Sequence, residues 1–112
     1  MGDAIPPSPA PARYHLKLMF EWRGGTLWAV DRAAYDAFDV GEIEDKLPLS
    51  DATRQRLEEL SEWHDTALDW DDPGGPSPWT QEEHERFVRA AREVLERVRA
   101  ELGPEFSVEY RG

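Results

Sequence analysis

The clearest alternation of apolar and polar positions runs from Tyr14 to Trp22. Tyr14, Leu16, Leu18, Phe20 and Trp22 fall on one side, and His15, Lys17, Met19 and Glu21 on the other, the period of a half-buried strand. Arg23-Gly24-Gly25-Thr26 follows. Adjacent glycines tolerate the positive φ of a two-residue hairpin turn, so a second strand is expected over Thr26 to Val30. With Gly24-Gly25 as the loop, Trp22 opposes Leu27, Glu21 opposes Trp28, Phe20 opposes Ala29 and Met19 opposes Val30. Leu27 and Ala29 then join the core face. Met19, Trp28 and Val30 gather on the other face, which becomes half apolar and a candidate homodimer contact.

The pattern then changes period. Asp31 is placed to cap a short helix with Ala34, Tyr35 and Phe38 turned inward. Val40, Ile43, Leu47 and Leu49 anchor an irregular crossing that could cover the second sheet face. Ser50 caps a first long helix, with Leu57, Leu60, His64, Ala67 and Leu68 at helical spacing and Trp63 and Trp70 along its edge. Pro73-Gly74-Gly75-Pro76 ends that helix by Asp72 at the latest. Thr80-Gln81-Glu82-Glu83 reads as a capping box for a second long helix. Its stripe is Phe87, Ala91, Val94, Leu95, Val98 and Leu102, and Glu82–Arg86, Glu85–Arg89 and Glu93–Arg97 are i,i+4 pairs. Gly103 and Pro104 stop it. Phe106, Val108 and Tyr110 alternate with Ser107 and Glu109 as a last strand.

These elements predict an α+β fold, a two-layer sandwich with a three-stranded antiparallel-type sheet (the hairpin plus the C-terminal strand) packed on two long helices. Residues 14–112 form the single domain. Residues 1–13, with four prolines and Ile5 as the one large aliphatic residue, are expected to be a disordered tail.

Charge adds one fact that periodicity cannot. The net charge is −11. Residues 31–83 carry sixteen acids against four bases, or −12, while residues 1–30 come to +1 and residues 84–112 to zero. Such a field repels nucleic acid and attracts basic surfaces, although acidity also serves plain solubility. With no cysteine, disulfides, thiolate metal sites and a cysteine nucleophile are excluded. No apolar run approaches the ~20 residues of a membrane helix, and the start lacks a secretory pattern, so a cytoplasmic protein is expected.

The chemistry-bearing residues are few. His64 lies on an apolar stripe beside Asp65, where a buried structural histidine is the ordinary reading and a general base the sharper one. His15 and His84 have no metal-like spacing with it. Asp69-Trp70-Asp71-Asp72 resembles a calcium loop only at its start: an EF-hand register would want an oxygen ligand at Pro73 and a glutamate at Thr80. No phosphate-binding glycine loop, nucleophile elbow or His-Glu-x-x-His zinc motif occurs, and neither metal, cofactor nor catalytic residue is expected.

The tryptophans carry more. Trp22 and Trp63 read as core, and Trp79 as the residue before the second helix, packed near His84. Alternatively, Trp70 and Trp79 flank an acidic Pro/Gly loop, giving aromatic anchors among Asp65, Asp69, Asp71 and Asp72. Trp63–Trp70, Pro78–Glu83 and the helix start Leu47-Pro48-Leu49-Ser50 resemble small acidic proteins of high-GC bacteria over about residues 16–110. No activity is assigned to that class, so the resemblance implies a bacterial cytoplasmic protein and supplies no site.

The expected function is a non-catalytic acidic binding protein, an immunity or inhibitor protein covering a basic partner such as a nuclease toxin. Asp65, Asp69, Trp70, Asp71, Asp72 and Trp79 would form its docking surface. A small accessory enzyme or metabolite-binding protein built around His64, and a dimerising subunit, are the alternatives.

Overall fold

The computed structural model describes residues 12–39 and 43–111. Its elements are β1 (Tyr14–Leu18), β2 (Leu27–Ala29), α1 (Arg32–Phe38), a 3-10 turn (Glu44–Lys46), α2 (Asp51–Asp65), α3 (Gln81–Leu102) and β3 (Phe106–Tyr110). The strands form one sheet in the order β2-β1-β3. The expected tail lies outside the described residues apart from Ala12 and Arg13, and so does Val40.

The fold is α+β, with two corrections to the sheet. It is mixed rather than antiparallel: β1 runs antiparallel to β2 but parallel to β3, with Leu16 beside Val108. The chain passes through all three helices between β2 and β3, so no local turn dictates direction. Gly103, at φ 81°, reverses the end of α3 into the free edge of β1. The hairpin register is the second correction. Leu18 faces Leu27 and Leu16 faces Ala29, four residues away from the two-residue-turn pairing. Because side chains alternate with period 2, a shift of four preserves the faces, and Leu16, Leu18, Phe20, Leu27 and Ala29 are all buried as expected.

α1 begins as its sequence implies, with Ala34 N donating to Asp31 Oδ1 at 3.0 Å. Ala34 is buried and the Phe38 ring packs on Tyr14 and Phe106, but Tyr35 points outward, 38% exposed. Ile43, Leu47 and Leu49 are buried in the same cluster as the core-face strand residues. This crossing therefore serves the core, and it also closes the outer edge of β2. Ile43 N donates to Leu27 O, and the Glu44 carboxylate accepts from Thr26 N at 3.2 Å. An edge strand left with open backbone groups would invite pairing with another chain.

The long helices start at their expected caps. Ser50 Oγ accepts from Thr53 N and Thr80 Oγ1 from Glu83 N. The capping box at Thr80 is diverted, however: the Glu83 carboxylate accepts from Trp63 Nε1 on α2 at 2.8 Å and pairs with Arg86. Arg86 thus faces Glu83 in place of Glu82. The α3 stripe is buried from Phe87 to Leu102, and Arg99 donates twice to Val108 O, fastening β3 under the helix.

A second tie joins the far ends of the long helices. Glu101 accepts from Ser50 N at 2.6 Å, Ser50 Oγ at 3.0 Å and Thr53 Oγ1 at 2.5 Å. The Ser50 N–H, then the Thr53 hydroxyl, hold its carboxyl below the ordinary glutamate value, against a smaller effect of burial. A depressed carboxyl contributes stability above its unfolded value of 4.5 and loses it as pH falls through the lower folded value. Glu101→Gln should therefore cost about 1 kcal/mol in urea unfolding at neutral pH, discounted for exposure. The deficit against the unchanged protein should close in acid; a deficit constant with pH would refute the charged cap.

Candidate functional site

The segment between α2 and α3 is short of apolar residues yet rich in internal bonds. α2 stops at Asp65, earlier than the stripe suggested, because Thr66 N and Ala67 N turn back to Trp63 O and His64 O. Asp69 and Trp70 consequently lie beyond the helix, not along its side. Asp69 Oδ1 accepts from Asp71 N, Asp72 N donates to Asp69 O, and Gly75 N to Asp72 O. A Cβ at Gly75 would meet the Asp72 carboxylate, the far end of an exposed side chain free to turn aside. Ser77 Oγ donates to Ala67 O and accepts from Trp79 N. The carboxylates of Asp71 and Asp72 make no ion pair among the described residues and face outward.

The hairpin tip locks onto this loop. Arg23 takes the left-handed region at φ 52°, costly for a residue with a side chain. Three contacts hold it there. Its N–H donates to Asp65 Oδ1 at 2.8 Å, and its guanidinium lies 3.8 Å from the centroid of the Trp70 ring. The indole N–H of Trp70 donates in turn to Asp65 O at 2.9 Å. Next to Arg23, a Cβ on Gly24 would sit 2.9 Å from Glu21 Cβ. Positive φ thus falls on Arg23, and the glycine serves close approach instead of a two-residue turn. These contacts with α2 explain the register shift, since they draw residues 20–25 away from the ladder.

The tryptophans divide by role. Trp70 is 41% exposed and Trp22 46%, so Trp22 is not the core residue expected. It stacks on His64 with ring centroids 4.2 Å apart and planes 17° apart. Trp63 and Trp79 pack half-buried against Phe87 at 5.2 and 5.1 Å. Trp79 Nε1 donates to Thr66 Oγ1 at 2.7 Å, and its ring lies 6.3 Å from His84, the contact expected before the helix. Of the expected docking residues, the structure groups Asp69, Trp70, Asp71 and Asp72 in the loop, with Asp65 at the end of α2 beside it, while Trp79 is pinned behind it.

Trp22, Trp79, Phe87, His64 and Tyr110 line a cleft of about 630 Å³ between the hairpin tip and the start of α3. Burial pushes the His64 imidazole below its usual value, against the nearby Asp65 and Glu21 carboxylates. Its Nδ1 is buried without a hydrogen-bond partner among the described residues, so it is not the satisfied core histidine expected. A general base needs an orienting partner on that nitrogen. Nor does any group of three or more His, Asp or Glu among the described residues stand ready for a metal.

A family model described as Serratia CdiI immunity protein-like matches residues 14–112. The chain belongs to that family. No curated protein matches it. Immunity proteins work by binding a toxin, so the expectation of an immunity or inhibitor protein with a protein partner holds. The sequence resemblance had reached only a loose class without activity; the family supplies one. No helix among the described residues is long and apolar enough to cross a membrane.

In this immunity fold the other candidate surface is modest. Met19, Trp28 and Val30 are each half-buried, and Trp28 Nε1 donates to Met19 O at 2.9 Å. The indole thus lies across its own sheet with its polar edge satisfied.

Sequence reasoning missed Arg23, whose role depends on Asp65 and Trp70 far along the chain. A lone arginine beside two glycines carries no signal of that kind.

The depressed His64 predicts a pH effect with a definite sign. The unfolded chain takes a proton near the ordinary 6.5 that the folded chain resists, so stability falls as pH drops from there through the lower folded value. In His64→Phe, urea midpoints should decline less between about pH 7.5 and 5.5 than in the unchanged protein. Equal declines would place the titration elsewhere.

Proposed function

We propose that this chain neutralises a cationic toxin, a nuclease domain being the concrete case, by laying its acidic α2–α3 loop over the toxin's basic cleft. The observation carrying this reading is the pre-built loop: Asp71 and Asp72 face outward while Arg23 holds the exposed Trp70 ring beside them. A segment already bonded to itself loses little entropy on docking. The −12 of residues 31–83 supplies the field. Complementary charge mainly speeds encounter and selects the partner, while a buried aromatic anchor slows escape. Inhibition by occlusion asks no bond-making of the immunity protein, and the isolated His64 suits that reading better than an accessory enzyme. The encounter takes place in the cytoplasm, where an incoming nuclease would find its substrate.

The chain acts as a monomer in this reading. Met19, Trp28 and Val30 are already half-buried, leaving little area for a stable dimer contact. Sedimentation should give one species near 12.9 kDa. A dimer that Trp28→Glu dissolves would restore the dimerising subunit.

Binding to a basic nuclease toxin domain against which the chain protects cells tests the docking surface. Asp71→Lys with Asp72→Lys should leave the circular dichroism unchanged and slow association about tenfold at low salt. Trp70→Ala should leave association nearly unchanged and raise the dissociation rate about tenfold or more. Association of the unchanged protein should slow as salt rises. Salt-independent association, or full-strength binding by both variants, would remove the loop from the interface.

A further inference from the structure

The cleft of about 630 Å³ between the hairpin tip and the start of α3 differs in charge from the chain around it. The chain has 24 acids among 112 residues, yet none of the described residues lining the cleft is one. Its basic groups are Arg111 and the imidazoles of His64 and His84. A cation entering it would meet an arginine and two imidazoles, with no carboxylate to pair with. The cleft thus selects against the lysines and arginines that the acidic loop attracts.

Its walls are rings. Phe20 and Phe87, both buried, form the floor, and Trp22 and Tyr110 stand at the sides. Trp22 rests one face on His64, with centroids 4.2 Å apart, and is still 46% exposed. Folding has left that indole with apolar surface to spare. The hydroxyls of the rim are already engaged: Ser77 Oγ donates to Ala67 O, and Thr80 Oγ1 accepts from Glu83 N. What the cleft offers an occupant is mostly ring face, against which another aromatic ring packs with preferred geometry. Its volume falls within the roughly 300–1,000 Å³ of preformed binding clefts.

The cleft adjoins the acidic loop through consecutive residues. Trp22 walls it, while the next residue, Arg23, lies over the Trp70 ring. Ser77 and Trp79, which also line it, end the segment that carries Asp71 and Asp72. A partner lying on the loop therefore borders the cleft.

We propose that this cleft receives one aromatic side chain of the toxin, a phenylalanine, tyrosine or tryptophan, packed against Trp22 and Tyr110. The proposal rests on the toxin-docking reading above and sets an apolar anchor beside the acidic surface. Tryptophan, tyrosine and arginine dominate the energetics of interfaces, and Trp22, Tyr110 and Arg111 meet here inside a rim of polar side chains. Charge at the loop governs encounter, and the enclosed ring governs escape.

The test uses the full chain and a basic nuclease toxin domain against which it protects cells. Trp22→Ala should raise the dissociation rate at least tenfold and leave association and its salt dependence nearly unchanged. Val88→Phe, at a half-buried position of α3 on the cleft wall, fills the space instead of emptying it, and should keep the melting temperature while weakening binding by a similar factor. Replacing the toxin's interfacial aromatic residues by alanine in turn should uncover one whose loss is no longer felt in the Val88→Phe background. The dye anilinonaphthalene sulfonate should bind the unchanged chain, bind Val88→Phe poorly, and be released as toxin saturates the chain. Dye that stays bound beside the toxin makes the cleft a small-molecule site outside the interface and overturns the proposal. Weakening by Trp22→Ala alone makes that ring a surface contact and overturns it as well. Full-strength binding by both variants does the same, and if Asp71→Lys with Asp72→Lys still slows association, the loop reading survives alone. Salt-independent association with both cleft variants weakened keeps the cleft and removes the loop. No toxin binding by the unchanged protein sinks both.

Discussion

Phe87 is where the sheet, both long helices and the segment between them meet. Its ring contacts Phe20 at 5.1 Å, Trp63 at 5.2 Å, His64 at 5.6 Å and Trp79 at 5.1 Å. Four rings from three regions of the chain converge on one residue of α3, and the edge-to-face contacts with Phe20 and Trp63 add orientation to simple burial. The placement of the acidic loop follows from it. Trp63 at one end and Trp79 at the other are held against the same ring, so the intervening residues must bow outward. The loop's own hydrogen bonds then give that bow a single shape.

The consequence is a division of labour along one flank. Behind the loop, aromatic packing supplies rigidity. In front of it, carboxylates without ion pairs among the described residues supply a field. Between them, Arg23 clasps Trp70 and accepts a strained backbone to do so. Strain persists where surrounding contacts over-determine a conformation, and here Asp65 supplies both the acceptor for Arg23 N–H and the carbonyl that fixes the Trp70 indole. Acids at the end of a helix oppose its dipole by a few tenths of a kcal/mol, which Asp65 recovers through Arg23. Asp71 and Asp72 recover nothing comparable among the described residues. That asymmetry suits a protein whose family binds toxins.

Much of the architecture was legible in the sequence because its causes are local. Ser50 and Thr80 cap helices wherever such residues precede an amphipathic run, Gly103 stops α3 because it alone adopts φ 81° cheaply, and period-2 alternation assigned Leu16, Leu18, Leu27 and Ala29 to one face. The acidity of the middle segment and the exposure of Trp70 were equally open to reading. Even the hairpin error was harmless to the core, since a slip of four residues returns each side chain to its own face.

What the tertiary structure alone decided are the pairings between residues far apart in the chain. Glu83 leaves its own cap for Trp63, Arg23 takes the turn that two glycines seemed to claim, and β3 lies parallel to β1. Thr26 is left with a buried hydroxyl that has no partner among the described residues. None of these follows from propensity or period, because each is settled by which distant groups packing brings within hydrogen-bond reach. Local sequence determined the elements and their apolar faces; long-range contact energy chose the register, the strand direction and the surface left for a partner.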